Sequence, residues 1–104
     1  IIFIGATASR RGGAKTAAFA PAKAAQRSLA ESMAHHLGPF GIHVAHIIVD
    51  GVVDTPATRE LMPNKPDDYF IQPDDIADTL LHLTQQKSSA WSSEIEVRPF
   101  GEAW

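Results

Sequence analysis

The sequence contains no cysteine, only one tyrosine, no excess of basic residues and no long apolar run. Without cysteine there is no disulfide framework, and a reducing, cytoplasmic setting is expected. Nine Lys and Arg stand against twelve Asp and Glu, a formal charge of −3. That balance argues against a nucleic-acid partner, which calls for a basic face. No stretch approaches membrane-spanning length, so no membrane partner is expected. The chain opens on apolar Ile1–Ile4 with no basic leader, unlike a signal peptide. It also opens without Met, so Ile1 is expected to be an internal residue of a longer protein.

What is present is ordinary globular composition, 44% hydrophobic and 20% charged, in 104 residues that make one domain at most. Ile1-Ile2-Phe3-Ile4 ends at Gly5 and predicts a strand buried on both faces. Gly5–Gly13 reads as a loop. Ala17–Leu37 is Ala-rich and helical, with Ala22, Ala25, Leu29, Met33 and Leu37 forming one apolar face. Gly38-Pro39 supplies its stop. Pro21 allows two readings: regular helix begins there, or the first turn is kinked.

Ile42–Val49 predicts a second strand of parallel-sheet type, closed by Asp50-Gly51. Pro56–Leu61 fits a short helix, and Met62–Ile71 is a Pro- and Asp-rich excursion. Gln72-Pro73-Asp74-Asp75 opens a further helix with acidic residues where the dipole favours them. Its core stripe is Ile76, Leu80 and Leu83. After a polar loop, Ser88–Ser93, Ile95-Glu96-Val97 makes a short third strand. Alternating strands and helices give an α/β fold with right-handed crossovers. The first strand wants neighbours on both edges and finds only one in this sequence.

Five segments, in order and spacing, resemble the C-terminal half of the short-chain dehydrogenases/reductases. Ile1–Ile4 matches the strand that delivers that family's Ser, and Phe19–Leu37 the helix that bears its Tyr-x-x-x-Lys. Gly41-Ile42-His43-Val44 resembles the G-I-R-V entry to the next strand. Asp50-Gly51-Val52-Val53-Asp54-Thr55 resembles the P-G-x-[VI]-x-T cofactor loop, and Pro73-Asp74-Asp75-Ile76-Ala77 the P-E-D-I-A helix start. The resemblance implies the C-terminal part of a doubly wound, Rossmann-type parallel sheet, about three strands with flanking helices. A complete domain of that family needs roughly twice this length, so the N-terminal cofactor half is expected elsewhere.

The departures fall on the chemistry. The family's Tyr position is Phe19, and its Ser, thirteen residues earlier, is Ala6; only Lys23 remains. In the family the Tyr hydroxyl exchanges a proton with the substrate oxygen while hydride passes to or from the nicotinamide. The Lys ammonium lowers the Tyr pKa and binds the ribose, and the Ser orients the carbonyl. Positions 19 and 23 share a helical face, which the relay requires. Phe19 keeps the packing and cannot donate a proton. Loss of a positioned general acid costs about 10²–10⁴ in rate, so standard carbonyl reduction is expected to be impaired.

By resemblance, Lys23 and Thr7 become the catalytic candidates, Thr7 because its hydroxyl lies one residue past Ala6. Ser9 and Tyr69 are weaker substitutes. Lys23, Gly51, Val52, Val53 and Thr55 are the implied cofactor contacts, for NAD or NADP in an intact parent; this chain alone is expected to bind neither and to be inactive. The substrate implied is a small carbonyl compound or alcohol. The alternative is a non-catalytic, cofactor-sensing or structural subunit of the same lineage. In either case the small residues of the Ala17–Leu37 helix suit packing in a homo-oligomer.

Other features read more plainly. Gly5 and Gly12-Gly13 have the wrong spacing for a phosphate loop and fit a turn from strand to helix. Asp50 and Asp54 are read as turn and Asx-cap residues before a ligand site. Arg10-Arg11 reads as a solvated loop. The histidines show no ligand spacing, so no metal site is expected.

Overall fold

The local sequence already contains most of the elements, and a computed structural model of the protein, describing residues 1–103, shows how they assemble. Strand β1 spans Ile2–Ala6 and ends in a 3₁₀ turn at Thr7–Ser9. Helix α1 spans Phe19–Leu37, and strand β2 spans Ala45–Val49. A short strand β3, Val52–Val53, precedes helix α2, Pro56–Leu61. Strand β4 (Phe70–Ile71), helix α3 (Pro73–Gln85) and strand β5 (Glu94–Val97) follow. The main sheet is parallel, in the order β1-β2-β5. This is the partial Rossmann-type α/β arrangement that the resemblance implies.

β2 is the centre of the fold, and every residue from Val44 to Val49 is buried. In register, Phe3, His46 and Glu94 form one row and Gly5, Ile48 and Glu96 the next row on the same face. The opposite face carries Ile4, Ile47 and Ile95, then Ala6, Val49 and Val97. α1 lies over the first, partly polar face, where Arg27 reaches Glu94 at 2.6 Å. The stripe of α3 is as expected: Leu83 is fully buried, with Ile76 and Leu80 half-buried.

Three expectations need correction. The buried positions of α1 are Ala20 and Ala30, with Lys23, Gln26, Met33, Ala34 and Leu37 half-buried. Ala22, Ala25 and Leu29 face outward instead, Leu29 at 52% exposure. Two Ala-rich stripes overlap on this helix, and a sheet row holding His46 and Glu94 selects the one that carries polar partners. β1 is not buried on both faces, since Ile4 is 43% exposed, and it pairs with β2 alone, the single neighbour expected within this sequence. The excursion before α3 is not structureless, because β4 pairs parallel to β3, Val52 with Phe70 and Val53 with Ile71.

α1 does stop at Leu37, with Gly38 as its C-cap, where Gly38-Pro39 is expected to end it. The chain continues through a 3₁₀ turn, Gly38–Phe40, and reverses at Gly41, whose φ of 77° is left-handed. The Gly41 N–H donates to Gly38 O at 2.9 Å and the Ile42 N–H to Leu37 O at 3.3 Å. These two bonds form a Schellman closure. Pro21 sits third in α1, inside the first turn, where no intrahelical donor is required of it.

Candidate active site

The carboxyl ends of β1 and β2 open onto a cleft of about 340 Å³, lined by Ala6, Thr7, Arg11, Phe19, Val49 and Gly51 among others. Open α/β sheets bind ligands at this end of their strands. Ala6 and Phe19 therefore meet in one cleft across thirteen residues of sequence, and neither brings a hydroxyl to it. Phe19 is half exposed there.

Lys23 does not line the cleft. Its ammonium donates to Ile4 O at 2.9 Å and to Gln26 Oε1 at 3.2 Å, 5.8 Å from the centre of the Phe19 ring. Because Ile1 O accepts the Ala45 N–H, alternate carbonyls such as Ile4 O face the open edge of β1. Lys23 thus meets a carbonyl of β1 that has no strand partner among the described residues.

Thr7 does reach the cleft, and its hydroxyl donates to Asp50 Oδ1. Asp50 is 8% exposed and holds Arg98 Nη1 at 3.1 Å through Oδ2, with Arg11 Nη2 3.8 Å from Oδ1. Asp50 is therefore the hub of a buried ion and hydrogen-bond cluster rather than an Asx cap. Sequence reading missed this group, although the replacement of the resembled family's Pro by Asp50 was the available signal. Ser9 is committed otherwise, its Oγ accepting the Ala6 N–H at 3.1 Å inside the turn.

Of the implied cofactor contacts, only Gly51 borders this cleft. A Cβ at Gly51 would lie 2.6 Å from Pro99 Cδ and 3.0 Å from Glu102 Oε2, so the returning C-terminal segment also requires glycine there. Val52 and Val53 form β3 beside the cleft. Thr55 caps α2, its Oγ1 accepting the Thr58 N–H at 3.2 Å while Thr58 Oγ1 accepts the Thr55 N–H at 3.0 Å. Tyr69 is turned to Lys65 and Phe70, and it does not line the cleft.

Asp54 is likewise an ion-pair residue. Arg59 Nε and Nη2 grip its two oxygens at 2.7 Å each, and Gln72 adds a bond at 2.9 Å. The Arg59 hydrogen bonds hold the Asp54 carboxyl at about 2, well below the usual carboxylate range. Arg59 also lies 4.1 Å over the Phe70 ring, tying α2 to the β3–β4 ribbon.

A second polar group lies under α1. Arg10 stays exposed, as a solvated loop residue should, yet it binds Glu96 and, at 3.2 Å, Glu94. Glu94 also accepts Arg27 Nε at 2.6 Å and faces His46 Nδ1 at 3.1 Å. The Arg27 hydrogen bond, with smaller help from Arg10 and His46, holds Glu94 at about 2. His46 is buried, and a Cβ on Gly5 would lie 2.4 Å from its Nε2; Gly5 serves the imidazole, not a phosphate. Gly13 closes a turn, its N–H donating to Thr16 Oγ1 at 2.7 Å. No helix among the described residues is long and apolar enough to cross a membrane.

No curated protein matches the chain. A family model described as enoyl-(acyl carrier protein) reductase matches residues 1–97. Among solved structures, a short-chain dehydrogenase from Rhodopseudomonas palustris is 43% identical, with a TM-score of 0.73 over 96% of this chain and 38% of its own. The closed form of a serine dehydrogenase complexed with NADP+ is 17% identical, with a TM-score of 0.79 over 100% of this chain and 45% of its own. A short-chain oxidoreductase from Pseudomonas aeruginosa PAO1, described as containing an atypical catalytic center, is 18% identical, with a TM-score of 0.80 over 98% of this chain and 47% of its own. The chain thus spans less than half the length of these solved relatives. With its parallel sheet, its cleft at the strand ends and a family match over nearly its whole length, the chain belongs to the short-chain dehydrogenase/reductase family of oxidoreductases.

Proposed function

We propose that this chain provides the substrate and nicotinamide portion of an NAD(P)-dependent oxidoreductase that interconverts a small alcohol and its carbonyl compound without the Ser–Tyr pair. The observation that carries this reading is the cleft at the strand ends, where Ala6, Thr7, Phe19 and Gly51 converge. Its volume of about 340 Å³ suits a nicotinamide ring with a small substrate rather than a whole dinucleotide. When bound, the nicotinamide would supply or accept the hydride. Gly51 would let it approach the backbone, and Val52, Val53 and Thr55 stand beside that approach. Lys23 would reach the ribose only after leaving Ile4 O.

The test uses the full-length protein. NAD(P)H fluorescence reports binding, and a panel of small carbonyls and alcohols reports turnover. The double variant Ala6→Ser with Phe19→Tyr should raise carbonyl reduction by about 10²–10⁴, the usual worth of a positioned acid. Binding with no gain in the double variant would show that the cleft is not a dormant site of the standard kind. Absence of NAD(P)H binding would overturn the reading altogether.

The loss of both hydroxyls, at Ala6 and Phe19 together, favours a second reading, a cofactor-sensing or structural subunit that performs no hydride transfer. Turnover by the unmodified full-length protein would eliminate it. Either version is proposed to assemble as a homo-oligomer through α1, whose exposed face carries Ala18, Ala22, Ala25 and Leu29.

A further inference from the structure

Asp50 stands out among the groups that the family chemistry leaves unused. It is 8% exposed, accepts the Thr7 hydroxyl and bonds Arg98 at 3.1 Å, while Thr7 itself lines the cleft. A carboxylate accepts only, so the Thr7 proton points to Asp50 and the free lone pairs of Oγ1 remain for a partner. Those lone pairs suit an incoming hydroxyl proton and not a carbonyl oxygen. Arg98 and, farther off at 3.8 Å, Arg11 face the same carboxylate, with Glu96 4.0 Å from Arg98 on β5.

We propose that Thr7 and Asp50 form a two-step proton acceptor for an alcohol substrate, replacing the missing Ser–Tyr pair. The substrate O–H bond breaks as its proton passes to Thr7 Oγ1, and the Thr7 hydroxyl proton passes to Asp50 Oδ1. The electron pair of the O–H bond becomes the second C–O bond. The hydrogen on that carbon leaves with its electrons to the oxidised nicotinamide, so the alcohol is oxidised, the NAD(P)+ is reduced, and one proton rests on Asp50. Thr7 is the catalytic residue, and Asp50 acts through it. The inference rests on the oxidoreductase reading above.

The full-length protein, Thr7→Val, Thr7→Ser and Asp50→Asn are compared in alcohol oxidation. Their binding of trifluoroethanol, an electron-poor alcohol that resists hydride loss, is followed by fluorine NMR. Thr7→Val should weaken probe binding by about 2- to 10-fold, the worth of one hydrogen bond. Asp50→Asn can still accept from Thr7 and should keep probe binding, yet lower kcat by about 10²–10⁴. Thr7→Ser should recover most of what Thr7→Val loses.

Unchanged kcat in Asp50→Asn, or undiminished probe binding in Thr7→Val, would overturn the relay. A full-length protein that binds NAD(P) but oxidises no alcohol would overturn the relay and leave cofactor binding standing. Failure to bind the cofactor at all would overturn both.

Discussion

At the scale of single residues, this protein sets its polar chemistry by pairing rather than by exposure. Glu94 stands between Arg27, Arg10 and His46, and its pKa is held at about 2 against an ordinary 4.5. Lowering a carboxylate's folded pKa makes its contribution to stability complete above pH 4.5 and progressively lost as pH falls toward 2. Glu94→Gln should therefore cost stability near neutrality and flatten the decline below pH 4.5, as read from urea midpoints across pH. A decline as steep as in the parent protein would show that Glu94 does not carry this linkage. Asp54, also held at about 2 by Arg59, titrates in the same direction and should sustain a residual slope in the variant.

At the scale of elements, helix ends and short ribbons decide where the cleft opens. α1 must reverse sharply to feed β2, and Gly41 does this with a φ of 77° that other L residues enter at a cost. Nothing lies within 4 Å of a Cβ built there, so Gly41→Ala tests backbone strain alone. It should destabilise the fold by about 1–2 kcal/mol in chemical denaturation, with the helix intact by circular dichroism. A smaller element, the β3–β4 ribbon, is held by the Asp54 N–H to Ile71 O at 2.8 Å and by the Arg59 grip on Asp54. Sequence reading left Phe70–Ile71 in an irregular excursion because a two-residue strand has no periodicity of its own. Its pairing comes from Val52–Val53 and was not visible locally.

At the scale of the whole chain, two surfaces of the described residues bear on association. One is the free edge of β1, where Lys23 occupies the Ile4 carbonyl. The other is the outward face of α1, with Leu29 at 52% exposure among small residues. Small side chains let helices approach closely, so this face suits a second copy of itself. Leu29→Glu is expected to convert the proposed homo-oligomer to a lower-order form in light scattering while the far-ultraviolet spectrum stays unchanged. Unchanged particle mass would place any association elsewhere.

The sequence by itself determined the order of the main strands and helices, the α/β class and the family, because strand apolarity, helix stops and five spaced motifs are local patterns. It also located Ala6, Phe19 and Lys23, since fixed spacing along strand and helix carries them. Tertiary structure alone decided which of two overlapping Ala stripes on α1 is buried, because the choice depends on His46 and Glu94 beneath it. It also decided that Lys23 meets a strand carbonyl instead of the cleft, and that Thr7, Asp50 and Arg98 form one cluster. Those three lie on β1's exit, β2's exit and the segment after β5, and only the parallel register of the sheet brings their ends together.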